Sequence, residues 1–316
     1  MRMKNGKFLF TLKVFIVIGF ISSVFFYTEI KLRSVPNNYV FKKRNFEKQL
    51  DSIEILFLGS SEPLDDINPG YIDNYGFNLS SIWQSLYYDK ELTIRYLDRM
   101  PQLKIVFISV SYFSLWTSID NSIENWRQYF YYHYWNIPLI KPVMFDLKKE
   151  SYIALYGTDF SQNALRKNFE VTAITDNIMD NGWQKLEQQM DKNKCDSLGK
   201  IFVESHEKAM HDDQLKNNVF NMESLLSALI ARNIVPVIIT TPVYPSYTKY
   251  TDKEKLQAMR NVINGLCGKY HCSYFDYLND MRFSVEFFYD PAHLNEKGAE
   301  LFSKVINKEI ISKMKK

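Results

Sequence analysis

The chain has 316 residues, 46% of them hydrophobic and 24% charged, with a formal net charge of +3. That composition builds a core for one large domain or two small ones and excludes a disordered chain. So small a net charge makes no electrostatic case for nucleic acid. Without a glycine-rich phosphate loop or zinc-type Cys/His spacing, no metal and no organic cofactor is implied.

Residues 1–7 carry Arg2, Lys4 and Lys7, and residues 8–28 are apolar apart from Lys13 and a few small or hydroxyl residues. About 20 apolar residues span a bilayer, and a lysine near one end snorkels to the interface. Ser22-Ser23-Val24-Phe25-Phe26 is a poor signal-peptidase site. The expectation is an uncleaved single-pass anchor in the cell membrane. The basic flank before it favours a cytoplasmic tail and an external remainder, although Lys31 and Arg33 on the far side count against that orientation. Residues 29–50, basic and interrupted by Pro36, read as a linker, with the folded domain at 51–316.

Ile53-Glu54-Ile55-Leu56-Phe57-Leu58 has strand length and composition, and its unbroken apolar run suggests burial on both faces, as in a parallel sheet. Gly59 ends it, and Ser60, Ser61 and Glu62 follow at the point where open α/β sheets place their chemistry. The alternative is a strand and a polar turn. Pro63–Pro69 then reads as a turn-rich loop.

Gln84–Met100 has helical periodicity and Pro101 closes it; Lys104–Val110 is the next strand. Residues 115–212 do not read as regular βα units. They are taken as an aromatic-rich insertion over the active face, with Trp126–Trp135 lining a groove, resting on lipid or forming local core, the last being the default. His133 within it is read as structural. Regular spacing returns with a helix over Leu215–Arg232, a buried strand over Ile234–Thr241, a helix over Asp252–Leu266, a strand from Ser273 to Asp276 and a closing helix over Asn295–Met314. Thr240 and Thr241 either contact substrate or satisfy backbone groups. Helix and strand at crossover spacing predict a three-layer α/β/α domain with a mainly parallel sheet. Cys267 and Cys272 bracket a helix end and a strand start and are candidates for a disulfide in an external compartment.

Ahead of the closing helix stands Asp290-Pro291-Ala292-His293. A carboxylate three residues from an imidazole can hold it in one tautomer and stabilise its charged form, while a serine elsewhere supplies a nucleophile. The alternative is a capping Asp with an incidental His.

Gly-Ser-Ser after the first strand with Asp-x-x-His before the last helix resembles the SGNH (GDSL-type) hydrolase superfamily, of flavodoxin-like α/β/α fold. Gly-Ser-Ser-Glu is similar to the membrane-anchored envelope acyl-transfer branch, which includes the teichoic-acid D-alanyl transfer protein and the alginate acetylation proteins. The resemblance implies Ser61 as nucleophile, His293 as base and Asp290 as the acid that orients it. It places an oxyanion-hole glycine at about Trp83, a departure, with the Asn78 side chain as an alternative donor or a plain turn residue. It also expects an Asn after the second long strand; Ser111 or Tyr112 stands there instead. The function implied is O-acyl transfer, favoured over O-acyl ester hydrolysis, on an envelope glycan or polysaccharide, beside a multi-spanning acyltransferase. The competing expectation is a non-catalytic protein of that fold that binds or assembles an envelope polysaccharide.

Overall fold

The computed structural model describes residues 2–141, 144–157 and 177–314. The chain divides into two units, Met1–Asn37 with Pro142–Thr175 and Asn38–Lys141 with Asp176–Lys316.

In the first unit, helix α1 (Arg2–Arg33) contains a stretch, Gly6–Arg33, long and apolar enough to cross a membrane, with mean hydropathy 2.3. Near its end the Glu29 carboxylate accepts from the backbone N–H of Tyr152 at 2.9 Å and Ile153 at 3.1 Å.

The second unit is a three-layer α/β/α domain on one sheet of five parallel strands: β1 (Ile55–Leu58), β2 (Gly76–Asn78), β3 (Ile105–Ser109), β4 (Val235–Thr240) and β5 (Ser273–Asp276), in the order β2-β1-β3-β4-β5. β1 pairs with β3 in the register Ile55↔Ile105 to Leu58↔Ile108. Side chains alternate across the pleat. Ile55, Phe57, Ile105, Phe107, Val237 and Ile239 form one face, packed against Phe302 and Ile306 of the closing helix. Leu56, Val106, Ile108 and Ile238 supply the other face and are fully buried. The unbroken apolar runs of β1 and β3 are explained by this two-sided burial.

Among the described residues the helices after α1 include α2 (Asn38–Gln49), α3 (Ser61–Asp66), α4 (Leu86–Tyr96), α5 (Arg127–Trp135), α6 (Leu147–Glu150, in the first unit), α7 (Cys195–Lys208), α8 (Gln214–Ile230), α9 (Pro245–Tyr250), α10 (Lys253–Tyr270) and α11 (Glu296–Ile306). Asn295 caps α11 by accepting from the N–H groups of Lys297 and Gly298, both at 3.1 Å. An Asn oxygen on those free donors is what starts the helix there.

Several expectations need correcting. Residues 38–49, read as linker, are helix α2 with Tyr39, Lys42, Asn45 and Phe46 buried. Residues 63–66, the first part of the segment read as a turn-rich loop, belong to helix α3. The aromatic stretch at 126–135, by contrast, is the local core of the default reading: Phe130 and Tyr131 both meet Tyr39 of α2 with ring centroids 5.1 Å apart, and Trp135 lies 6.1 Å from Phe46. Of the insertion, residues 142–143 and 158–176 lie outside the described residues. The three cysteines are free thiols, and Cys267 and Cys272 sit with their sulfurs 2.9 Å apart, a thiol contact rather than the expected bond. Thr240 satisfies backbone, its hydroxyl donating to Val110 O at 2.9 Å.

Candidate active site

β1 and β3 are the strands on either side of the point where the strand order reverses, and open α/β sheets bind ligands at the carboxyl end of that point. Gly59 leaves β1 with φ +138°, and a Cβ there would lie 2.7 Å from Pro63 Cγ and 3.0 Å from Ser109 Cβ. Only glycine permits both the backbone angle and the approach. Ser60 then turns inward, buried, and its hydroxyl donates to the Glu62 carboxylate. Ser61 is left as the first residue of α3 with its hydroxyl directed outward.

The Asp-x-x-His turn meets it. His293 Nε2 lies 2.9 Å from Ser61 Oγ, and His293 Nδ1 lies 2.9 Å from both Asp290 oxygens. Asp290 Oδ1 also accepts from the backbone N–H of Ala292 at 2.8 Å and of His293 at 3.0 Å, which curls the turn around the carboxylate. Asp66, on the last turn of α3, accepts from the backbone N–H of Leu294 at 2.7 Å. One short helix therefore carries the serine and also holds the segment that carries the histidine.

Burial opposes charge on His293, but the Asp290 carboxylate and its hydrogen bond outweigh it and hold the imidazole well above its ordinary range. Burial likewise pushes Asp290 up, and the imidazole together with the turn's hydrogen bonds brings it below the usual carboxylate value. Each group favours the charged form of the other, as an acid that stabilises an imidazolium must.

A cleft of about 420 Å³ opens over the serine, walled by Asp65, Trp83, Gln184, Phe202 and His206. Phe202 and His206 come from α7 in the insertion. The Phe202 ring stands edge-on to His293 at 6.2 Å. His206 Nδ1 contacts Tyr247 Oη at 2.6 Å, and burial lowers its pKa to about 3, so it is a neutral wall residue. Trp83 has φ 57°, the left-handed region, at the position where the resemblance expects glycine. Among the described residues no cluster of His, Cys, Asp and Glu is arranged to hold a metal ion.

Three expected residues stand elsewhere. The Asn78 amide donates to Pro63 O at 2.7 Å and Ile67 O at 2.8 Å, and its oxygen accepts from Ser80 N at 3.1 Å, so it braces both ends of the α3 segment instead of facing the cleft. Tyr112 is buried, donating to Glu207 Oε1 at 2.8 Å and accepting from Asp252 N at 3.0 Å. Ser111 is buried as well, and its backbone N–H donates to Ser114 Oγ at 2.9 Å. Asp65, Gln184 and His206 were not anticipated. The first was hidden by reading α3 as loop, the others by lying in the irregular insertion.

A parallel three-layer sheet with a serine after its first strand and Asp-x-x-His before its last helix has the architecture of the SGNH (GDSL-type) superfamily, so the resemblance carried by the short motifs extends to the fold. Residues 204–308, about a third of the chain, match the family model described as DltD protein. A solved structure from Streptococcus pneumonia, provisionally described as a platelet activating factor, aligns with a TM-score of 0.41 and 10% identity over 93% of this chain and 98% of that one. No curated protein matches the chain.

Proposed function

We propose that the chain is a membrane-anchored serine enzyme that transfers an acyl group to a hydroxyl of a cell-envelope glycan. The observation that carries this reading is the hydrogen-bonded series Ser61–His293–Asp290 at the mouth of the cleft. Ser61 Oγ attacks the acyl carbonyl as His293 Nε2 takes its proton, and Asp290 steadies the imidazolium. Backbone N–H groups of Ser61 and of the Trp83 turn receive the oxyanion; each such donor is worth about 3 kcal/mol of transition-state stabilisation. The leaving group departs with the proton from His293, giving acyl-Ser61. An acceptor hydroxyl then gives its proton to His293 and attacks the acyl carbon, which frees Ser61. No cofactor enters the cycle.

Transfer rather than hydrolysis is favoured by the likeness of Gly59-Ser60-Ser61-Glu62 to the envelope acyl-transfer branch and by the match of residues 204–308 to the DltD model. The apolar stretch at Gly6–Arg33 supports a single-pass anchor. Arg2 and Lys4 before it support a cytoplasmic tail with the catalytic domain outside, where a multi-spanning acyltransferase would hand over the acyl group.

The test is full-length protein in detergent with an activated acyl ester and candidate glycans. Acylated glycan should form faster than free acid, with the added acyl mass on Ser61 in wild type and none in Ser61→Ala. Free acid that glycan does not divert would mean an esterase. The absence of both acyl-Ser61 and turnover would leave a glycan-binding protein that retains the fold.

A further inference from the structure

A positive φ at the third residue of a four-residue turn calls for Gly or Asn. Trp83 holds that place with φ 57°. The turn runs from Ser81 to Gln84 and is closed by the Gln84 N–H donating to Ser81 O at 2.9 Å. The Trp83 N–H lies inside the turn and takes no part in that bond. A strained backbone angle persists only where its surroundings over-determine it. Contacts of the Trp83 ring offset the strain, but fixing the direction of its peptide needs both ends of the turn to be held.

Both ends are held. The Ser81 N–H donates to Gly59 O at 3.2 Å, which ties the start of the turn to the residue two before Ser61. At the other end the buried Gln84 has each end of its amide engaged. Its Nε2 donates to Asp89 Oδ1 at 2.6 Å, and its Oε1 accepts from Tyr131 Oη at 2.8 Å. An ionised carboxylate only accepts, so Asp89 takes the NH2 end of the amide and leaves its oxygen to the tyrosine hydroxyl. Asp89 belongs to α4 and Tyr131 to α5; both are buried, and the Tyr131 ring stacks on Tyr88 of α4 with centroids 4.0 Å apart. Two packed helices therefore grip the residue that follows Trp83. Gly59, Trp83, Gln84 and Asp89 also line one small cavity, so the grip adjoins the serine turn. Trp83 lines the cleft with Ser61 and His293, whereas Gln84, Asp89 and Tyr131 stand outside its lining.

We propose that Gln84, gripped by Asp89 and Tyr131, is a positioning residue that aims the Trp83 backbone N–H at the oxyanion formed when Ser61 is acylated. The inference rests on the reading of Ser61 as the nucleophile. The oxyanion exists only in the transition state and intermediate, so loss of the grip slows acylation without weakening ester binding. Exchanging donor and acceptor, as in Gln84→Glu with Asp89→Asn, rebuilds the grip: the new amide donates to the new carboxylate, which still accepts from Tyr131.

The test is acylation of full-length protein in detergent by an activated acyl ester, read as the saturating rate and the half-saturating concentration. One oxyanion donor is worth a factor of about 100 to 1,000, so Gln84→Met, which keeps the volume and loses both bonds, should be slower by at least about thirtyfold. Its half-saturating concentration should stay within about threefold of wild type. Tyr131→Phe, which removes a single oxygen and threatens the fold least, should be slower by about three- to tenfold. The exchanged pair should return to within about threefold of wild type, a recovery that a residue merely filling space would not show. Hydrogen–deuterium exchange reads the grip independently of activity. Peptides over 79–85 should exchange faster in both single variants and return to the wild-type rate in the exchanged pair, with β4 unchanged in all. Single variants that both acylate at the wild-type rate, or an exchanged pair as slow as Gln84→Met, overturn the proposal. If no ester acylates wild-type Ser61, the enzyme reading falls and exchange decides. Faster exchange over 79–85 that the exchanged pair reverses keeps the grip on the Trp83 turn, and unchanged exchange removes it.

Discussion

Trp83 is held in left-handed backbone with φ 57°, where a Cβ residue is strained by roughly 1–2 kcal/mol. Its ring is the compensation: it lies 6.0 Å from Phe113 and 6.1 Å from His206, and His206 lines the cleft with it. Removing the ring while keeping Cβ should be worse than removing both. Trp83→Ala is expected to be less stable than Trp83→Gly by about 1 kcal/mol, because alanine keeps the strain and glycine releases it. Urea midpoints of the two variants check this, and alanine equal to or better than glycine would mean the backbone angle is not the constraint. At this scale the motif residues were legible, because Gly-Ser-Ser and Asp-x-x-His are local patterns. Asn78 was misread because its amide is used by the Pro63 and Ile67 carbonyls, which only the fold brings to it. Asp65 and Gln184, 119 positions apart in sequence, come to line one cleft only through tertiary structure.

Helix α2 shows how an element is hidden. Its buried stripe is Tyr39, Lys42, Asn45 and Phe46, at helical spacing but half polar, so the segment reads as a basic linker. The polar members are satisfied inside: Lys42 donates to Ser80 O, and Asn45 Nδ2 donates to Asp180 Oδ1 at 3.1 Å. Phe46 anchors the rest, fully buried with its ring 5.1 Å from both Phe77 and Tyr96. Through Phe77 the helix abuts β2, and through Ser80 it abuts the loop that leads to Trp83. Phe46→Ala should therefore cost about 3–5 kcal/mol. Val40→Ala on the exposed side should change stability by less than about 0.5 kcal/mol. Denaturant unfolding of the two variants distinguishes a packed helix from a tether, since a tether would tolerate both. Four of the five sheet strands, by contrast, were found to within two residues, β1, β3 and β4 because unbroken apolar runs have few other readings, whereas the three-residue β2 (Gly76–Asn78) was not read as a strand.

Across the whole molecule the buried carboxyls set an unusual dependence of stability on pH. Asp65 is raised to about 8 and Asp89 to about 7, and Asp66 well above its ordinary 3.8, each chiefly by burial. In the pH range between 3.8 and those values the folded chain keeps protons that the unfolded chain has lost. Stability therefore falls as pH rises wherever the folded state binds more protons, and the contributions of Asp65 and Asp89, complete below about pH 4, are lost through pH 7–8, with Asp66 acting in the same direction. His293, raised above 6.5 by Asp290, acts in the same direction. The carboxylates held low, such as Asp290 and Glu54, act in the opposite direction but have finished titrating in both states by about pH 5. Lys42 reverses the trend at the alkaline end. Burial lowers it from 10.5 to about 7, so above pH 7 the folded chain has released a proton that the unfolded chain retains, and stability is regained. Each fully resolved proton sets a slope of about 1.4 kcal/mol per pH unit. The thermal midpoint of the full-length protein in detergent should fall between pH 5 and pH 8 and flatten or recover above it. Asp65→Asn should shallow the fall, because an amide has no proton to lose. A midpoint that is constant or climbs from pH 5 to pH 8 would show that these carboxyls are solvated or paired in the folded protein.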